Sequence, residues 1–343
     1  RMWILWKILY LSKIIMNNLI KQNKVMFVGD IHLMDKQPKN RLDDYSLAIR
    51  TKLTECFEIA EERKLDAVVL LGDLFEVYEV GPLLRNQTLD ILKGVPNGNK
   101  PWSFPIYVCV GNHDLDSSSN LEKTALGTLI SAGYLINTDY EPSLGISFAH
   151  YSPTLDRDIK QGYLTTSSAI IWVCHASIST KLDRFGEYAY LFEDTPLHPN
   201  TNLVISGHIH HEMKQTRSDG KRFINPGAIS RYSASRDNLE KDIEILILEY
   251  TLDGEILGEE YLKLKSAKPS SEVFKIDEIN AAKDLKQNTL EFKLKVANMR
   301  TDTWHFTTLE DKLAAVKAKA ENANINSEIA NIAIEAIRKV NQQ

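Results

Sequence analysis

From Val25 onward the chain's apolar residues first fall into short unbroken runs, each closed by a polar group at a glycine. Val25–Val28 ends at Gly29-Asp30, Ala67–Leu71 at Gly72-Asp73, and Ile106–Val110 at Gly111-Asn112-His113-Asp114. Short apolar runs bounded by turn residues read as buried strands. Between them the period changes. Ile49, Leu53, Phe57 and Ala60 share one face of a helix predicted over Tyr45–Lys64 with Asp44 as its cap, and a second helix is predicted over Leu83–Lys93, closed by Gly94. Alternating strands and helices predict right-handed crossovers and a parallel sheet, in which ligand-binding residues collect at the carboxyl ends of the strands.

After a predicted helix over Leu121–Ala132, strands dominate. Gly145–Ala149, Ala169–Cys174 and Asn202–Ser206 are short strands, the last two ending at His175 and at Gly207-His208. Arg222–Asn225 leads into a turn at Pro226-Gly227, and Asp242–Tyr250 with Ile256–Leu264 forms a hairpin around Asp253-Gly254. These segments predict a second sheet and a layered α/β sandwich.

The domain division expected is an extension over 1–23, a main domain over 24–265 and a C-terminal region over 266–343. Lys265–Ser271 reads as the linker. Beyond it, Glu272–Asp277 and Thr289–Val296 read as strands. Thr307-x-x-Glu310 has the capping-box pattern, and apolar residues recurring through Leu309–Val340 predict a helical hairpin. Arg1–Ile20 is apolar but interrupted by Lys7 and Lys13, too early for a spanning helix. Of an interfacial helix, a signal anchor and an upstream extension with initiation at Met16, the last is the expectation.

Composition narrows the picture modestly. The 343 residues are 43% hydrophobic and 25% charged, as in a soluble globular protein, and the net charge of −5 argues against coating nucleic acid by bulk charge. Cys56, Cys109 and Cys174 lie in apolar stretches without a Cys-x-x-Cys, so they read as buried hydrophobes in a reducing, cytoplasmic compartment. A membrane partner is not expected.

Chemistry concentrates at five strand ends: Asp30-x-His32, Gly72-Asp73, Gly111-Asn112-His113-Asp114, Cys174-His175 and Gly207-His208-x-His210. Together they supply the carboxylates, imidazoles and one amide needed to hold two divalent ions side by side, an arrangement that activates water for in-line attack on a phosphate. Asp73 is the natural bridge, its charge offsetting the repulsion between the ions. Asn112 ligates without adding charge. His208 and His210, two residues apart, serve neighbouring metals from one loop. His113 cannot easily join the same centre and is expected to hydrogen-bond the phosphate or protonate the leaving oxygen, with Asp114 orienting it. His150, His198, His211 and His305 read as ordinary residues. Among the basic loop residues, Arg41, Arg222 and Arg231 are the candidates for tracking a phosphate backbone.

This ordered set resembles the calcineurin-like metallophosphoesterase superfamily over roughly Lys24–Leu264. The resemblance implies a four-layer α/β/β/α sandwich with a small C-terminal α+β or helical-hairpin appendage. It also implies one metal on Asp30, His32, Asp73 and His210 and another on Asp73, Asn112, His175 and His208, with His113 as the transition-state histidine. Within the superfamily, GDLFEVY at Gly72–Tyr78 lacks the substrate arginine of the protein phosphatases. GDLFEVYEV, PIYVCVGNHDL, NLVISGHIHHEM and KRFINPGAISRYS are similar to the Mre11/SbcD nucleases. That likeness implies a Mn²⁺-dependent DNA exo- and endonuclease, with Fe²⁺, Zn²⁺ or Mg²⁺ as alternative ions. It further implies an SMC-like ATPase partner of the Rad50/SbcC type held by the C-terminal helices, and a homodimer is a further expectation. The rival reading is a stand-alone esterase for a small phosphodiester or cyclic nucleotide.

Overall fold

The computed structural model describes residues 22–181, 190–298, 308–322 and 325–340. Expectations for Arg1–Ile20, His305 and Thr307 lie outside these residues. No helix among the described residues is long and apolar enough to cross a membrane.

Two sheets are stacked face to face. The first has the order β13-β12-β1-β2-β3, where β1 is Gln22–Val28, β2 Ala67–Leu70, β3 Ile106–Val108, β12 Glu244–Thr251 and β13 Ile256–Lys263. Its β1, β2 and β3 run parallel, as the intervening helices require. The second has the order β10-β11-β9-β6-β5-β4, from Met213–Thr216 (β10), Arg222–Asn225 (β11), Leu203–Ser206 (β9), Ile171–Cys174 (β6), Ile146–Ala149 (β5) and Tyr140–Glu141 (β4). A small parallel pair joins Ile178–Ser179 (β7) to Tyr190–Leu191 (β8).

Period-2 alternation decides which residues enter which layer. Val25 and Phe27 of β1, with Ala67 and Val69 of β2, face the second sheet and pack with Ile146, Phe148, Ile171, Val173, Leu203 and Ile205. Their neighbours Met26, Val28, Val68 and Leu70 face the helices instead. Those helices are α1 (Tyr45–Glu62), α2 (Pro82–Leu92) and α3 (Ala125–Ser131). On the far side Trp172, Cys174, Val204 and Phe223 pack under Leu155 and Ile159 of the short α4 (Leu155–Lys160). All three cysteines are free and buried.

The Asp44 carboxylate caps α1 by accepting the Leu47 N–H at 2.9 Å, and Ile49, Leu53, Cys56, Phe57 and Ala60 bury one face. The helix ends where Lys64 turns left-handed (φ 53°), with Leu65 N–H donating to Ala60 and Lys64 N–H to Glu61. The predicted helix from Leu121 is split: Leu121–Lys123 is a single 3₁₀ turn, and Thr124 caps α3 through the Gly127 N–H.

Two expectations are corrected. The Asp242–Leu264 hairpin extends the first sheet, not the second, because β12 pairs antiparallel with β1 from Gln22↔Thr251 to Phe27↔Leu246. The predicted strands Glu272–Asp277 and Thr289–Val296 are absent. Ser270–Val273 is a short helix (α6, after α5 at Arg236–Glu240), and Ile276–Asn298 is one long helix, α7. Leu290 is 58% exposed, so the apparent alternation there buries no sheet face, and the Ala-, Lys- and Leu-rich run follows its helix propensity.

The chain divides into compact units 1–274 and 275–343. The first continues past the predicted linker because Leu42 N–H donates to Val273 and Arg41 bridges Phe274. In the second, α8 (Leu309–Asn322) and α9 (Ser327–Val340) form the expected hairpin, closed on Val316, Ala320, Ile325, Ile329, Ala330 and Ala333. Its capping box is one residue later than the pattern implied: Thr308 and Asp311 exchange N–H bonds at 3.1 Å.

Candidate metal centre

Register brings the five segments to one edge of the sandwich. Val28 pairs with Leu70 and Leu70 with Val108, so the chain leaves β1, β2 and β3 at one level, at Gly29, Leu71 and Cys109. Cys174 pairs with Ser206, so His175 and Gly207 leave the second sheet together. The turns are sharp. His32 (φ 54°), Asp73 (φ 46°) and His208 (φ 75°) are all left-handed although none is glycine, a conformation costing on the order of 1 kcal/mol or more each. Hydrogen bonds hold them: His32 N–H donates to the Asp73 carbonyl (2.8 Å), and His208 N–H to the Asp30 carboxylate (2.9 Å). At Gly72 (φ 116°), a side chain would sit 2.1 Å from the His175 ring.

The side chains form two lobes that share Asp73. In one, His32 Nε2 lies 3.0 Å from His210 Nε2 and 3.6 Å from Asp73 Oδ2, and His210 Nε2 lies 3.3 Å from Asp30 Oδ2. In the other, His175 Nε2 lies 3.3 Å from Asp73 Oδ2 and 3.0 Å from Asn112 Oδ1, which is 2.9 Å from His208 Nδ1. The donor chemistry fits cations. His175 Nδ1–H donates to the Leu71 carbonyl (2.9 Å), which can only accept. In the neutral ring Nε2 then points a lone pair at two oxygen acceptors. His32 Nδ1 lies 2.7 Å from Glu76 Oε2, an ion-pair distance without hydrogen-bond alignment. Lone pairs converging in this way are what a divalent ion requires, and an outer hydrogen bond that sets the tautomer is the usual support of a histidine ligand.

Electrostatics keep the carboxylates ionised. Burial alone would lift Asp30, but His175, His210 and His32 hold it well below the usual carboxylate range. Asp73 is lowered against its own burial by His175. Burial opposes charge on His175, yet Asp73 and Asp30 raise it to about 10, so a bound cation would take the place of a proton on Nε2. His208 is depressed by burial and by His175.

The structure places His113 beside the first lobe, half-buried, its ring edge-on to His32 at 5.0 Å. Its Nδ1–H donates to the Glu76 carbonyl (2.7 Å), and its N–H donates to Asp73 Oδ1 (2.9 Å). Asp114 does not take the expected place behind the His113 ring. Its fully buried carboxylate accepts the N–H groups of Gly111 (2.9 Å) and Phe75 (3.4 Å), where burial and Asp73 push it up to about 7. It ties two metal-ligand loops together.

Sequence reasoning missed Glu76. Its carboxylate lies 2.7 Å from His32 Nδ1, and its carbonyl orients His113. Its position three residues after Asp73 was the available signal. Outer partners of this kind support affinity by about 10–100-fold. Glu76→Ala is therefore expected to weaken Mn²⁺ binding by about that factor in calorimetry, and Glu76→Gln, which keeps the side chain's size without its charge, to recover part of it. Unchanged affinity in Glu76→Ala would contradict the role.

The three candidate arginines are engaged elsewhere, a correction to the expected phosphate track. Arg41 pairs with Asp43 (2.8 Å), donates to the Arg231 carbonyl and stacks on Tyr45 and Phe274. Arg231 donates to the carbonyls of Lys268 (2.6 Å) and Lys241 (2.7 Å). Arg222 pairs with Glu259. Loop charge density alone could not distinguish these internal partners from a solvent-facing rim.

Near Arg41 and Arg231, Lys52 and Lys241 are both pushed down to about 7, first by burial and then by Arg231. The unfolded chain retains both protons up to about pH 10.4. At these two lysines it therefore binds more protons than the folded chain above about pH 7, which outweighs the one proton that His175 retains in the folded chain, and stability rises with pH through that window. Urea melts in metal-free, phosphate-free buffer should show a higher midpoint at about pH 8.5 than at about pH 7, with a smaller difference in Lys52→Met. A flat or falling midpoint would contradict this.

A layered α/β sandwich carrying this ligand cluster at its strand ends defines a metallophosphoesterase. The calcineurin-like phosphoesterase superfamily domain matches residues 24–250, and the chain belongs to that superfamily. Among solved structures, a dimetal phosphatase from Danio rerio is similar at 11% identity, covering 70% of this chain and 98% of its own, with a TM-score of 0.43. Purple acid phosphatase PPD1 from yellow lupin seeds (Lupinus luteus) shows 13% identity over 71% of this chain and 52% of its own, TM-score 0.43. A predicted phosphoesterase from Streptococcus pneumoniae shows 14% identity over 71% and 99%, TM-score 0.29. No curated protein matches the sequence.

Proposed function

We propose that this chain is a two-metal phosphodiesterase acting on DNA, the nuclease subunit of a complex with an SMC-like ATPase of the Rad50/SbcC type. The observation that carries the diester reading is Val77, which stands in Gly72–Tyr78 where the protein phosphatases carry their substrate arginine. The motif therefore offers no cation to the phosphate. A doubly charged phosphomonoester loses more from that missing cation than a singly charged diester does.

Asp30, His32, Asp73 and His210 would hold one divalent ion, and Asp73, Asn112, His175 and His208 the other, with Mn²⁺ the proposed metal. Such a pair supplies an activated water near neutral pH and neutralises the phosphate. The protein contributes the pre-set histidine tautomers and the ionised carboxylates. His113, with Nδ1–H held by the Glu76 carbonyl, presents Nε2 to the phosphate or leaving oxygen. His113→Ala is expected to lower kcat by about 10²–10⁴-fold while leaving Mn²⁺ stoichiometry intact; loss of bound metal would contradict this division of labour.

The DNA reading draws on the likeness at Gly72–Tyr78 and Asn202–Met213 and on the separate helical unit, whose Leu285, Leu290 and Ile332 are exposed apolar candidates for partner contact. The internal pairing of Arg41, Arg222 and Arg231 favours the rival, a stand-alone esterase for small diesters. Assays with Mn²⁺ on bis-p-nitrophenyl phosphate, p-nitrophenyl phosphate and linear duplex DNA, with and without the ATPase, separate the cases. The proposal expects diester over monoester and DNA cleavage. Preference for the monoester, or no action on DNA in any combination, would overturn it.

A further inference from the structure

A second polar site lies behind the Gly227–Arg231 segment. The carbonyls of four consecutive residues there each receive a cationic donor. Lys241 Nζ donates to Ala228 (3.2 Å) and Ser230 (2.6 Å), Lys52 Nζ to Ile229 (2.9 Å), and Arg41 to Arg231. Arg41 has Asp43 as its counter-charge, whereas the hydrogen bonds of Lys52, Lys241 and Arg231 all run to backbone carbonyls. A carbonyl satisfies the N–H geometry but does not neutralise a buried charge, and clustered cations in a low-dielectric setting repel one another.

Beside this cluster is a cavity of about 170 Å³, whose walls include Arg41, Lys52, Arg231, Lys268 and Ala48, together with Asp43, paired with Arg41, and Asp44, which caps the helix through the Leu47 N–H. Arg231 is 7% exposed, and its Nε–H is buried with no hydrogen-bond partner among the described residues. The cavity thus brings together four basic side chains, two carboxylates already engaged, and an unused buried donor. Its volume is well below the roughly 300 Å³ at which pockets for larger organic ligands begin. A tetrahedral oxyanion accepts several N–H bonds at once and suits guanidinium and ammonium donors. A nucleoside has no room.

We propose that this cavity binds a free oxyanion of the phosphate class, with Arg231 and Lys52 as its buried donors and Arg41 and Lys268 at its walls. The site is distinct from the metal centre but mechanically joined to it. Lys52 holds the Ile229 carbonyl, and the Ile229 N–H donates to the Asp30 carbonyl at 3.1 Å. An anion that steadies the Gly227–Arg231 segment therefore steadies the loop that carries Asp30. The inference does not depend on the DNA reading.

The test is calorimetric titration of inorganic phosphate into the full chain after metal removal, at constant ionic strength in chloride. The expected result is saturable binding of one phosphate per chain. Ala48→Leu, which fills the cavity while keeping every cation and suits a helix, should weaken it at least about tenfold. Lys268→Glu, at an exposed position, should weaken it measurably, and thermal melts confirm that both variants are folded. Absence of saturable binding in the wild type would overturn the proposal. So would binding unaffected by Ala48→Leu, because the phosphate would then lie elsewhere, including on the histidine cluster. Adenosine monophosphate binding as well as phosphate does would overturn the assignment to a free oxyanion.

Discussion

Asp73→Ala is expected to lower Mn²⁺-dependent hydrolysis of a phosphodiester at least about a thousandfold. Losing an outer partner of a metal ligand costs about 10–100-fold, and Asp73 stands closer to the chemistry than that. Its Oδ2 lies 3.6 Å from His32 Nε2 in one lobe and 3.3 Å from His175 Nε2 in the other, so removing it strips both sites of one oxygen and of the charge that offsets two cations. Oδ1 also receives the His113 N–H, which would be left without a partner. Asp73→Asn separates the effects: it keeps the size and an acceptor oxygen but not the charge, and should fold normally while still losing most activity. The checks are kcat/KM on bis-p-nitrophenyl phosphate and metal analysis of each variant. Activity in Asp73→Ala near that of the wild type would place the chemistry elsewhere.

Gly111→Ala should be nearly as damaging through packing alone. A methyl group at Gly111 would sit 2.1 Å from Asp73 Oδ1 and 2.4 Å from the Asp73 backbone nitrogen. The carboxylate could swing away only by abandoning the shared ligand position, and the backbone contact cannot relax without moving the β2 loop. Overpacking of this kind costs about 1–3 kcal/mol, and a backbone clash belongs at the upper end. Urea melts should show that loss, and Mn²⁺ titration a fall in stoichiometry or affinity. A variant with wild-type stability and metal binding would show that the two loops are not locked together.

Much of this centre was legible because strand-end chemistry is local. A buried apolar run followed by glycine and a ligand marks the carboxyl end of a strand, and parallel pairing brings such ends together without further information. The reason for those glycines was not legible: Gly72 and Gly111 are needed because the His175 and Asp73 side chains from other segments press on them. Partner choice was also hidden. The hairpin at Glu244–Lys263 alternates as any strand pair does, and nothing local says that β12 joins β1. Arg222 and Arg231 were misjudged for the same reason, since their acceptors Glu259 and Lys268 lie far away in the chain, whereas the partner of Arg41 in Asp43 was local and only its bond to the Arg231 carbonyl was distant. At Thr289–Val296 the expected strand gives way to helix propensity, because no facing sheet rewards the alternation of apolar and polar residues there.

The central claim is that two lobes sharing Asp73 hold two neighbouring divalent ions. Low-temperature electron paramagnetic resonance of the full chain titrated with Mn²⁺ tests it most directly. Two equivalents should bind and give the broad spectrum of an exchange-coupled pair, and His210→Ala should convert it to the six-line signal of an isolated ion. A wild-type chain that binds a single Mn²⁺, or two with only isolated-ion signals, would contradict the account.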